Sequence, residues 1–191
     1  QTLPVKGHNL QAAPYLVREL PSGMELRLKL VLERQIFSDP LDDYWQGGPE
    51  LTFTKAYGHR SEFLLGYTYD RRSYDTRREF DLDFRAVPDT SLRFHRHEFE
   101  AAVVHVWDEA RHWRSRLRLI YERNDDGGTG FYHYHKHRWS KRFGYYGPDW
   151  EATIEGKILH YDYLRQPVSA TGEARQLWEY ALALRAEKTL W

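Results

Sequence analysis

Apolar and charged residues alternate along this chain with a period of two, for about ten residues at a time. Met24, Leu26, Leu28, Leu30 and Leu32 alternate with Glu25, Arg27, Lys29, Val31 and Glu33. Successive side chains on a strand point to opposite faces, so this spacing builds a ribbon with one apolar and one ionic face. A strand of about ten residues spans roughly 33 Å. Tilted by about 45°, that length covers the apolar band of a bacterial outer membrane.

The ribbon recurs. Phe80, Leu82 and Phe84 oppose Glu79, Asp81, Asp83 and Arg85, and Trp113, Leu117, Leu119 and Tyr121 oppose Arg114, Arg116, Arg118 and Glu122. Trp150, Ala152, Ile154 and Ile158 oppose Glu151, Thr153, Glu155 and Lys157, and Trp178, Tyr180, Leu182, Leu184 and Ala186 oppose Glu179, Arg185 and Glu187. Weaker copies run over 51–57, 62–70 and 98–108. The pattern predicts an all-β, antiparallel up-and-down β-barrel of about eight or more strands, whole or as part of a larger barrel. Residues 1–23 read as an N-terminal extension and 24–191 as the barrel domain. The stretch Glu173–Glu187 is rich in good helix formers, and a closing helix is the alternative there.

Long loops are expected over Ser38–Pro49, Asn124–Gly130 and Gln166–Gly172, with short turns near Gly58–Ser61, Val87–Asp89 and Gly144–Pro148. Outer-membrane barrels place short turns on one side and long loops on the other. This order follows that rule at first and breaks it at the short turn Asp108–Arg111.

Composition narrows the classes. Lys and Arg (28) balance Asp and Glu (28), leaving no basic field for nucleic acid. Cys is absent, so disulfides and thiolate metal sites are excluded. No run of eighteen or more apolar residues occurs, which leaves a closed barrel as the way to cross a bilayer. The chain opens at Gln1 without an initiator Met or an export segment and reads as a mature product or an excerpt.

The chain resembles bacterial outer-membrane β-barrel proteins. The likeness rests on the long two-residue-repeat strands and on aromatic residues at strand ends: Trp113 and Tyr121, Trp150, Trp178, Tyr67 and Tyr69. Polar loops such as Glu122–Tyr132 and the final Trp191 add to it. It covers most of 24–191, and its motifs have low specificity. It implies a structural or transport-related, porin-like role in the cell outer membrane, with the lipid bilayer as partner and no cofactor. A soluble lipocalin-like barrel has the same alternation with the faces exchanged, binds an apolar small molecule inside, and is periplasmic or secreted.

With the apolar residues toward lipid, Arg114, Arg116, Arg118, Glu151, Glu155, Lys157, Asp81 and Asp83 are the expected lumen-facing charges. In a small barrel such charges form structural ion pairs that plug the lumen. His133, His135 and His137 share one face at strand spacing and are the weak metal candidates; a polar-ring strand near an interface explains them better. Asp125-Asp126-Gly127 lacks the spacing of a calcium loop and reads as a hairpin tip. No catalytic motif is present: there is no G-x-S-x-G elbow, H-E-x-x-H helix, phosphate loop or dinucleotide fingerprint.

Overall fold

The computed structural model describes residues 7–37, 42–58, 60–167 and 173–188. Their architecture is all-β: ten antiparallel strands in one up-and-down sheet. The strands are β1 (Gly7–Ala12), β2 (Tyr15–Leu20), β3 (Met24–Phe37), β4 (Tyr44–Tyr57), β5 (Ser61–Tyr74), β6 (Arg93–Val106), β7 (Trp113–Asp125), β8 (Tyr134–Tyr146), β9 (Trp150–Pro167) and β10 (Ala174–Lys188). Sequence neighbours are sheet neighbours from β3 to β10. No helix of the described residues is long and apolar enough to cross a membrane.

Residues 7–20, expected to lie in an extension, belong to the sheet. β1 and β2 lie end to end along one side of β3 in a single register, from Gly7 opposite Phe37 to Leu20 opposite Met24. Pro14 interrupts them because it has no N–H to donate. Its carbonyl still accepts from Leu30 N at 3.0 Å. An edge position is where a sheet tolerates this residue. Among the described residues no pairing joins β1 or β2 to β10.

Three further expectations are corrected. Glu173–Glu187 is not a helix: Ala174–Lys188 pairs with β9 along its length. The long loop expected to reach Pro49 ends earlier, because β4 starts at Tyr44 and runs through Gly47-Gly48-Pro49. Gly48 makes that passage feasible, since a Cβ there would collide with the Tyr69 carbonyl oxygen. The segment 79–85 is not a strand either. It lies within the connection 75–92, where only Phe80 and Ala86 form a bridge. Asp81 Oδ1 accepts from the backbone N–H of Asp83 (2.9 Å) and Arg85 (2.8 Å), and Phe84 has φ 63°, which turns the chain back on itself.

Removing that strand restores the loop asymmetry. At one end of the sheet the connections are 21–23, 58–60, 107–112 and 147–149; at the other they are 38–43, 75–92, 126–133 and 168–173. Two of the longer ones pack on each other. Phe131 lies 6.1 Å from Phe80 and 5.0 Å from Phe84, and the Thr129 hydroxyl donates to the Phe80 carbonyl. Phe131 is buried in this contact, and Leu92 and Tyr74 are buried as well.

Candidate functional site

Register assigns every strand side chain to one of two faces. Arg116 on β7 stands opposite Arg142 on β8, which stands opposite Glu155 on β9; Arg118, Ser140 and Lys157 form the next row. Arg114 and Glu151 lie on the same face, opposite Gly144 and Tyr146. Six of the expected charges, Arg114, Arg116, Arg118, Glu151, Glu155 and Lys157, therefore share one ionic face. Asp81 and Asp83 do not join them, because they belong to the 75–92 connection.

The ionic face is laced by short polar contacts. Arg118 holds Glu100 through two hydrogen bonds of 2.6 and 2.8 Å. Arg142 donates twice to Glu155, at 3.0 and 2.5 Å, and Lys157 reaches the same carboxylate at 3.1 Å. Lys29 pairs with Glu50 at 2.9 Å and Arg96 with Asp70 at 2.8 Å. Glu122 accepts from the Tyr134 hydroxyl at 2.6 Å and from Lys136 at 3.2 Å. Of the buried strand residues, Asp70, Tyr74, Ala102, Val106, Ile120, Glu122 and Asn124 project to this face, whereas Ser61, at the start of β5, is buried on the other.

The other face is apolar and open. Leu28, Leu51, Leu65, Leu117, Ile154 and Leu182 are all exposed, Leu117 by 44% and Ile154 by 45%. Aromatic rings border this aliphatic zone at both ends. Toward the longer loops, Tyr69, His97, Tyr67, Phe99, Tyr121, His137, His160 and Trp178 form an unbroken chain of ring contacts from β5 to β10. Toward the short turns, Tyr57 stacks on His105 and His105 meets Trp107, while Trp113 stacks on Phe143 and Tyr145 on Trp150. On β7 the two belts stand at Trp113 and Tyr121, roughly 26 Å apart along the strand at ~3.3 Å per residue. On β9 they stand at Trp150 and His160, roughly 33 Å apart. Tilts of about 35–45° shorten these to roughly 18–21 Å on β7 and roughly 23–27 Å on β9, beside the ~25 Å height of a transmembrane barrel's apolar band.

Of the three candidate histidines, His135 and His137 belong to these belts. His135 and His137 pack against Tyr121 at 5.7 and 5.1 Å, and His137 also stacks on Trp139. His133 lies outside β8, with its Nε2 3.2 Å from Asp126 Oδ1. Among the described residues no group of three or more His, Asp or Glu side chains is arranged to hold a metal. Asp126 is buried, and its carboxylate accepts from the N–H groups of Gly128, Gly130 and Tyr132 at 2.9 to 3.0 Å. Those donors make it the organiser of the hairpin tip.

Sequence reasoning missed the β8 contribution of Lys136, Arg138, Ser140 and Arg142. Its signal was present as basic residues two and four apart. Both faces of β8 carry polar or aromatic residues, so no apolar and charged alternation marks the strand. No family model, curated protein or solved structure matches the chain.

Proposed function

We propose that this chain is an outer-membrane β-barrel protein, or a sector of a larger barrel, with a structural or transport-related role. Its apolar face lies against lipid and its ionic face lines the interior. The carrying observation is the exposed aliphatic zone between two aromatic belts, on the face opposite the ion pairs. Water penalises such a continuous apolar surface, whereas lipid removes the penalty. Tyr, Trp and His rings, apolar with a polar edge, suit the boundary between hydrocarbon and headgroups. Short turns at one end and longer loops at the other support the same reading. The lipocalin-like alternative needs the leucines inside and the charges outside. The burial of Glu122, Asp70 and Asn124 on the ionic face runs against it.

Leu117→Arg tests this reading in protein refolded into lipid vesicles. The expected loss of stability is about 2–4 kcal/mol, the cost of a cation near the bilayer midplane. A change within about 0.5 kcal/mol, as on an ordinary wet surface, would contradict it.

A further inference from the structure

Ion pairs on the ionic face are not distributed evenly. Arg116, Arg118, Arg138, Arg142 and Lys157 gather with Ser140 around a cavity of about 400 Å³ whose only acidic lining residue is Glu155. Glu155 is already shared between Arg142 and Lys157, and Arg118 is engaged by Glu100. Arg116 and Arg138 have no hydrogen-bond or ion-pair partner among the described residues. Arg116 stands directly opposite Arg142 across the β7–β8 pair, an arrangement of like charges that destabilises a sheet when nothing lies between them. Elsewhere on this face Lys29 has Glu50, Arg96 has Asp70 and Lys136 has Glu122, while Arg72 and Arg114 donate to uncharged oxygens of Gln46, Tyr74 and the Arg111 backbone.

We propose that this cluster is a binding site for a small, multiply charged oxyanion of the phosphate class. Two guanidinium groups with free forked donors match tetrahedral oxyanions in geometry as well as charge, and Lys157 and the Ser140 hydroxyl supply further donors. The cavity volume suits an inorganic ion such as pyrophosphate. The site opens on the ionic face, opposite the aliphatic zone, so its ligand is a dissolved anion and not a lipid headgroup. The proposal does not depend on membrane insertion: a soluble barrel would carry the same cluster.

The test is calorimetric titration of the full chain with inorganic pyrophosphate, in the buffer or detergent that keeps it folded. The wild type is expected to bind, with affinity that falls as salt rises. The double variant Arg116→Gln/Arg138→Gln, its fold checked by circular dichroism, should bind about tenfold or more weakly, the scale of one charge-assisted hydrogen bond. Arg27→Gln, on the same face but outside the cluster, should bind as the wild type does. Arg116→Glu separates binding from folding: it replaces a like-charge pair with an opposite one, so it should abolish binding and leave the melting temperature unchanged or higher. Absence of wild-type binding, or equal binding by the double variant, overturns the proposal.

Discussion

Lys141 stands directly opposite Leu117 across the β7–β8 pair, within the aliphatic zone, with Gly156 as its neighbour on β9. A Cβ at Gly156 would have no atom within 4 Å, so the Lys141 stem has open space beside it. A long alkyl stem can lie along apolar surface and carry its ammonium toward an interface. In lipid a cation at this position is costly. Lys141→Leu is therefore expected to stabilise vesicle-refolded protein by up to about 2–4 kcal/mol. Denaturant titration of the two forms in the same lipid checks it. A neutral or destabilising result would place Lys141 in water.

Glu122 is 2% exposed, and Lys136 beside it is also poorly accessible. Removing one partner of such a pair strands the other charge. Glu122→Ala should cost about 3–5 kcal/mol, whereas replacing the pair together, as in Glu122→Leu/Lys136→Met, should cost much less. A double-mutant cycle measured by equilibrium unfolding reads the difference. Additive effects would mean that the two side chains are not coupled.

The turn between β6 and β7 carries a pH dependence. The backbone N–H of Trp113, at 2.8 Å, and that of His112, at 3.1 Å, hold the Asp108 carboxyl below the usual carboxylate range, the Trp113 bond contributing most. A group whose folded pKa is lowered stabilises the fold above its unfolded value, and that contribution disappears as pH falls toward the folded one. Amide exchange at Trp113 and His112 should accelerate as pH drops through the ordinary carboxylate range, after correction for intrinsic exchange. Asp108→Ala should exchange fast at neutral pH as well. Protection that is independent of pH and of this substitution would refute the assignment.

Where alternation was clean, the fold was legible in the residues themselves. Met24–Glu33, Trp113–Glu122 and Trp150–Ile158 each present one apolar and one charged set, and each lies in a strand. Phe80, Leu82 and Phe84 show the same alternation for a different reason: Phe80 and Phe84 pack on Phe131 within a folded loop. Local pattern cannot separate these cases, because residues two apart face the same way in a strand and can also be brought onto one neighbour by a turn. β8 and the β1–β2 pair were obscure because β8 lacks a purely apolar face and Pro14 breaks the edge strand. The basic cluster was accordingly half visible. Arg116, Arg118 and Lys157 were legible, but Arg138 and Arg142 entered only when β8 was placed between β7 and β9.

The lipid-facing orientation of the apolar face is the central claim, and tryptophan depth reports on it directly. Variants retaining only Trp113 or only Trp178 place a single indole in the short-turn belt or in the long-loop belt. Refolded into vesicles carrying bromine at defined acyl positions, both should be quenched most strongly by bromines nearest the headgroups, with blue-shifted emission. Emission at the wavelength of water-exposed indole, unquenched at every bromine depth, would contradict the claim.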